Sequence, residues 1–153
     1  MQLIIVRHAE AANTAPDEHR ALTDKGEADA VKLGAALASL NLRPDVVLTS
    51  PLVRAAETAR IAGGGKFTIC PELEPGASPP RYLEAIRRAA GADRIMLVGH
   101  QPDAGRFISF LVSGGSMELH FALKPGSAAL VDLRESSAGS LVLLMTPEVY
   151  SRI

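Results

Sequence analysis

The chain has 153 residues, 47% of them hydrophobic, a formal net charge of −1 and one cysteine. A chain of this length buries roughly 70% of its unfolded surface, so it folds as one domain spanning residues 1–153 with no need of a metal or a disulfide. The balanced charge argues against nucleic-acid binding, the lack of a run of about 20 apolar residues argues against a membrane span, and Cys70, with no partner cysteine, fits a small core filler in a reducing cytoplasm.

The first residues carry no basic segment followed by a long apolar stretch, so no secretory signal is expected. Residues 3–6 are an apolar run and predict a buried strand. Residues 7–25 are polar and irregular, and read as a loop in which Thr23 is placed to cap the next helix, with Asp24 and Glu27 at its positive end. Ala28, Val31, Leu33, Ala35, Leu37 and Leu40 recur at helical spacing over residues 25–40. A second strand is expected at 45–48. Ser50-Pro51 then opens a helix that runs to about Ala62 and stops at Gly63-Gly64-Gly65. Residues 66–70 read as a third strand. Residues 71–80, with four prolines and one glycine, read as loop. A helix over 81–90, a strand over 94–98, a turn at Gly99-His100-Gln101-Pro102 and a helix over 103–112 follow. Two late strands, 127–134 and 140–145, have no helix between them and predict a hairpin at one edge. Alternating strands and helices build a parallel sheet covered on both faces. The expected fold is a three-layer α/β/α sandwich with a mostly parallel central sheet and an antiparallel edge.

In open α/β sheets, ligands bind beyond the carboxyl ends of the strands. Here the first strand runs into Arg7-His8. The second ends near Ser50, one helical turn before Arg54, and the fourth runs into Gly99-His100. Taken singly, a loop arginine is ordinarily a solvated charge and a histidine after a strand a satisfied polar residue. Together, two arginines and two histidines at equivalent strand ends call for an anion, because such a cluster is costly to bury otherwise. Arginine forks match phosphate oxygens, and helix starts near Pro51 and Asp103 add backbone donors. Four cationic or donor groups exceed what one carboxylate accepts, so phosphate is the expected ligand.

Four segments carry a family resemblance. Val6-Arg7-His8-Ala9-Glu10 resembles the Arg-His-Gly signature of the histidine phosphatase superfamily, the group of the phosphoglycerate mutases. Thr49-Ser50-Pro51-Leu52-Val53-Arg54-Ala55-Ala56-Glu57-Thr58-Ala59 resembles its Ser-Pro-x-x-Arg-Ala-x-x-Thr-Ala signature, and Val98-Gly99-His100-Gln101-Pro102-Asp103 its late Gly-His motif. Leu22-Thr23-Asp24-Lys25-Gly26 resembles its Leu-Thr-x-x-Gly. The chain length, the loop Pro71-Glu72-Leu73-Glu74-Pro75-Gly76 and the Gly-His-Gln-Pro-Asp form are similar to the short SixA-like phosphohistidine phosphatases, which lack the inserted cap of longer relatives. The resemblance implies that His8 is the nucleophile that becomes phosphorylated, and that Arg7, Arg54 and a protonated His100 hold the phosphoryl oxygens. It implies no metal or organic cofactor. Its implied partner is a protein phosphorylated on histidine, or a small phosphorylated molecule.

Two positions depart from the family pattern. Ala9 stands where the signature has glycine, as it often does in SixA-like sequences. Many relatives have Leu-x-Glu after the third strand, the glutamate protonating the leaving oxygen, whereas here Leu73-Glu74-Pro75 puts a proline there. Glu10, Glu72 and Glu74 are out of register and read as loop carboxylates in water, which makes them weak candidates for the acid. General acid catalysis is worth roughly 10²–10⁴-fold. A site without it favours a phosphoramidate, whose imidazole leaving group can take a proton from solvent, over an alkyl phosphate. The expected function is therefore dephosphorylation of phosphohistidine on a protein. The alternatives are a phosphatase of sugar or nucleotide phosphates and a phosphate-binding module without turnover. His19 is read as solvated, His120 as structural near the start of a late strand, Asn13 and Thr14 as possible phosphate donors, and Arg87, Arg88 and Arg94 as a solvated helix face and its flank.

Overall fold

A computed structural model describes residues 1–133 and 138–153. Strand β1 is Gln2–Arg7, α1 is Asp24–Ser39, β2 is Val46–Thr49, α2 is Val53–Ala62 and β3 is Thr68–Ile69. They are followed by α3 (Pro79–Arg87), β4 (Arg94–Gly99), α4 (Asp103–Val112), β5 (Ala128–Asp132), β6 (Ser140–Met145) and α5 (Pro147–Tyr150). Thr23 caps α1 as its sequence suggests: its Oγ1 accepts from the Gly26 N–H at 3.0 Å.

The strands form one sheet in the order β3-β2-β4-β1-β5-β6. β3, β2, β4 and β1 are parallel, and β5 and β6 add an antiparallel edge. Successive side chains along the central strands point to opposite faces, and both sets are buried. Leu3, Ile5, Ile95 and Leu97 pack with Tyr82, Phe107 and Ile108 under α3 and α4. Ile4, Val6, Met96 and Val98 pack with Leu33, Leu37, Ala55 and Ala59 under α1 and α2. Both faces are thus covered, which is the expected three-layer sandwich. No helix among the described residues is long and apolar enough to cross a membrane.

The departures from expectation are local. Residues 71–80 are not all loop: Pro71–Leu73 is a 3-10 turn and α3 already starts at Pro79, where proline's fixed φ suits a first helical turn. Helix α2 starts at Val53 rather than at Ser50-Pro51, because Ser50 still belongs to the strand's exit, its N–H donating to the Val98 carbonyl. The 7–25 loop contains a 3-10 turn at Asp17–His19 and a bridge between Ala11 and Leu22. Arg134, the expected end of the fifth strand, lies outside the described residues.

Candidate active site

Strand register assembles the site. In the parallel β1–β4 pair, Arg7 lies opposite Gly99, so the chain leaves both strands at one level and a histidine follows on each side. The His8 N–H donates to the Gly99 carbonyl at 3.0 Å, and the two imidazole centroids lie 5.3 Å apart, tilted by 55°. One strand further, Ser50 leaves β2 beside them, its Oγ 2.8 Å from His100 Nε2. The first turn of α2 brings the Arg54 Nε to 3.3 Å from His8 Nε2. Arg7 donates through Nη1 to the Leu123 carbonyl at 2.7 Å, which ties the loop before β5 to the site. The four residues singled out from sequence therefore share one cluster. His8, Arg54 and His100 are buried in it and Arg7 is half-buried.

The hydrogen bonds define which nitrogens are available. His8 Nδ1 lies 2.7 Å from the Ala9 carbonyl, which can only accept, so the proton sits on Nδ1 and Nε2 keeps its lone pair. The Arg54 Nε–H points at that lone pair. Burial pulls the His8 pKa down to about 4, against the bond to Ala9, and the nearby Arg54 and Arg7 charges pull the same way. At neutral pH His8 is an uncharged imidazole with a nucleophilic nitrogen facing the cluster.

His100 differs from expectation. Burial, and then His8 and Arg54, bring its pKa down to about 3, so in the ligand-free protein it is neutral rather than protonated. Ser50 Oγ accepts from the Leu52 N–H at 3.3 Å and shares a 2.8 Å hydrogen bond with His100 Nε2, which engages that ring nitrogen. The other ring nitrogen, Nδ1, is buried and has no partner among the described residues, and neither has the buried Nε of Arg7. These two buried nitrogens are left for an oxyanion to satisfy.

Three contributors carry no strong mark in the sequence. Asp17, in the 3-10 turn of the first loop, accepts from both ends of the Arg54 guanidinium, through its carbonyl to Nη1 at 2.9 Å and its carboxylate to Nη2 at 3.2 Å. Arg20 and then Arg54 hold that carboxylate below its usual pKa. Nothing in the irregular 7–25 stretch distinguishes Asp17 from its neighbours. Thr58 Oγ1 accepts from the Ala9 N–H at 3.0 Å and donates to the Arg54 carbonyl at 2.7 Å, locking the residue after His8 to α2. Ser50 and Thr58 both sit inside the second signature segment, which was the signal available for them.

The weaker sequence candidates resolve differently. Glu72 is not a carboxylate in water: it is buried and paired with Arg88 Nη2 at 2.5 Å, which holds its carboxyl below the ordinary range and ionised at neutral pH. It has no proton to give. Arg88 is therefore an ion-pair partner rather than a plain solvated charge. Glu74 is exposed, and Glu10 is exposed and accepts from the Thr23 hydroxyl at 2.9 Å. His19, Asn13 and Thr14 are exposed in the first loop. His120 lies in the loop before β5, exposed, and not at a strand start. Arg94 is half-buried rather than solvated: it donates to Gln2 Oε1 and to the carbonyls of Asn41 and Arg43, stitching β1, β4 and the α1–β2 connection. Among the described residues, no group of three or more His, Cys, Asp or Glu is placed to hold a metal ion.

Comparison with known proteins places the chain in a family. Residues 3–76 match the model of the histidine phosphatase superfamily (branch 1). An uncharacterised protein of Picosynechococcus sp. is 33% identical over 164 residues, covering 97% of this chain and 98% of that protein. Phosphohistidine phosphatase SixA of Escherichia coli (strain K12) is 28% identical over 156 residues, covering 96% of this chain and 94% of that protein. The solved structure of the protein histidine phosphatase SixA complexed with tungstate superposes with a TM-score of 0.83 at 28% identity, covering 96% of this chain and 97% of that one.

Proposed function

The chain belongs to the histidine phosphatase superfamily, and from that membership we propose that it is a phosphohistidine phosphatase that takes the phosphoryl group from a histidine on a partner protein onto its own His8. The observation that carries this reading is the unprotonated Nε2 of His8, met by the Arg54 Nε–H, in a cluster where the buried Arg7 Nε and His100 Nδ1 have no partner among the described residues. A tetrahedral oxyanion accepts from Arg7 Nε, and from His100 Nδ1 when the ring carries a proton there, while presenting its central atom to His8 Nε2. Tungstate, bound in the SixA structure that shares this fold, is such an anion.

The reaction proceeds in two displacements. His8 Nε2 attacks phosphorus, a P–N bond forms to His8 and the P–N bond to the substrate imidazole breaks. The leaving imidazole takes its proton from solvent. Water then attacks the phosphorylated His8, the P–Nε2 bond breaks, and inorganic phosphate leaves with the water's oxygen while the released proton goes to solvent. Arg7, Arg54 and His100 N–H groups stabilise the negative charge spread over the equatorial oxygens in both transition states. Burial first, and then the neighbouring charges, hold His100 neutral, and the anion's charge opposes the latter, so His100 gains proton affinity when substrate binds.

The leaving group follows from the carboxylates. Asp17, in contact with Arg54, is held ionised, and Glu72 is held ionised by Arg88. Neither donates a proton at neutral pH. An alkoxide leaving group needs that proton and an imidazole does not need it from the protein.

The test compares a histidine-phosphorylated protein, p-nitrophenyl phosphate and an alkyl phosphate as substrates, with wild type and His8→Ala. Wild type is expected to turn over the phosphohistidine protein, with the alkyl phosphate at least roughly 100-fold slower for want of a general acid, and His8→Ala to lose both reactions. Equal rates on phosphohistidine and alkyl phosphate would shift the assignment to small phosphate monoesters. Binding without turnover by either protein would leave a phosphate-binding module.

A further inference from the structure

Beside the catalytic cluster, two clefts flank the first turn of α4 and share one residue, Arg106. The smaller, about 130 Å³, is lined by Gln101, Pro102, Gly105, Arg106 and residues 119–121. The larger, about 430 Å³, is lined by residues 76–79, Arg106 and Met117. Their walls are built into the site's own framework. The near wall begins one residue after His100. The far wall lies two residues before Leu123, whose carbonyl holds Arg7. Gln101 Nε2 donates to the Phe121 carbonyl at 2.7 Å, and Asp103 Oδ2 accepts from the Gly76 N–H at 2.7 Å. Each wall is thereby pinned to the start of α4.

The surface so formed has two unsatisfied characters. Arg106 is exposed, and its side chain makes no hydrogen bond or ion pair among the described residues. Among the described residues lining the two clefts it is the one Lys, Arg, Asp or Glu. Around it, Met117 and Leu119 present apolar side chains to water, 48% and 51% exposed. They are held there: the Met117 N–H donates to Ser113 Oγ and the Leu119 N–H to Ser109 Oγ, at 3.1 and 3.0 Å. Met117 sits at φ +57, a left-handed conformation that a long side chain adopts only where surrounding structure imposes it. An unpaired cation framed by constrained, exposed apolar groups matches an interaction surface rather than an ordinary solvated face.

We propose that this surface docks the phosphorylated partner protein, seating an apolar side chain of the partner against Met117 and Leu119 with a partner carboxylate on Arg106. The proposal rests on the phosphohistidine reading above, since only a protein substrate presents an apolar side chain and a carboxylate beside its phosphorylated residue. The occupant's acidity follows from charge complementarity: Arg106 is the free charge of the clefts, and a desolvated carboxylate pairs with it bidentately.

Arg106→Glu and Met117→Gly separate the possibilities, because neither residue belongs to the catalytic cluster. The probe is the histidine-phosphorylated protein that wild type turns over fastest among phosphocarrier and phosphotransfer domains, and the control substrate is phosphoramidate. Arg106→Glu is expected to raise KM for the phosphoprotein roughly tenfold or more at unchanged kcat, the size of a lost interface ion pair, with phosphoramidate kcat/KM unchanged. Met117→Gly suits the backbone, so it is expected to raise the phosphoprotein KM without lowering Tm. If wild type is active on the phosphoprotein and neither variant changes its KM, or if both substrates suffer equally, the docking proposal falls and the enzyme reading stands. A wild type inactive on every phosphoprotein but active on phosphoramidate overturns the protein-substrate reading and the docking with it. Loss of a dimer in Arg106→Glu with unchanged kinetics assigns the surface to a second copy of the chain and overturns the proposal.

Discussion

At the residue scale, the chemistry of His8 is set by what occupies its other nitrogen and by what surrounds it. The Ala9 carbonyl holds the proton on Nδ1, and burial keeps the ring neutral, so Nε2 is nucleophilic without a base to deprotonate it. Arg54 is shared between that nitrogen and Asp17. Asp17 therefore orients the guanidinium but also places a carboxylate near the position of the anion. Asp17→Asn keeps the shape and the backbone contact to Nη1 while removing that charge. It is expected to bind inorganic phosphate several-fold more tightly, as competitive inhibition of turnover would show; unchanged or weaker inhibition would mean that the carboxylate's hold on Arg54 outweighs its repulsion.

At the element scale, the site depends on two parallel strands ending in register and on loops drawn close to a helix start. Gly105, in the first turn of α4, shows how close. A Cβ built there would lie 2.0 Å from the Phe121 carbonyl oxygen. In an isolated helix, Gly→Ala stabilises by about 1 kcal/mol. Here the loop would have to move, and overpacking of this kind costs about 1–3 kcal/mol. Gly105→Ala is therefore expected to lower the urea midpoint of unfolding rather than raise it. The same displacement loosens the segment carrying Leu123, so the Arg7 contact weakens as well. A raised midpoint would mean that the loop yields without cost.

For the whole molecule, the two buried imidazoles make stability depend on pH. In the unfolded chain each takes up a proton near its ordinary value of 6.5, whereas in the folded protein they stay neutral down to about 4 for His8 and about 3 for His100. Over that interval the unfolded state binds more protons, so stability is full above about pH 6.5 and is lost as pH falls toward 4. The ionised Asp17 and Glu72 carboxylates, whose pKa values are lowered, add a further loss at lower pH still. Urea midpoints measured down this range are expected to fall steadily for wild type and more shallowly for a His8→Asn, His100→Asn double variant. Parallel slopes would place the acid sensitivity elsewhere.

Much of this was legible in the residue order. The alternation of apolar runs with helical spacing is a local pattern, and it specified the layered α/β/α sheet. The Arg-His, Ser-Pro-x-x-Arg and Gly-His segments are local as well, and they marked His8, Arg7, Arg54 and His100 as one set. Composition pointed to Pro71–Leu73 as loop and to Glu72 as solvated, because prolines and carboxylates carry those averages; only the approach of Arg88 across the fold made Glu72 a buried ion-pair member. The protonation of His100 was likewise beyond local reading, since desolvation is set by everything packed around the ring. Asp17, Ser50 and Leu123 reach the cluster from three separate segments, through contacts that span 37, 50 and 116 residues of chain. Periodicity and motif report what neighbours in the chain do. Burial, hydrogen-bond partners and charge are properties of neighbours in space, and those the tertiary structure alone decided.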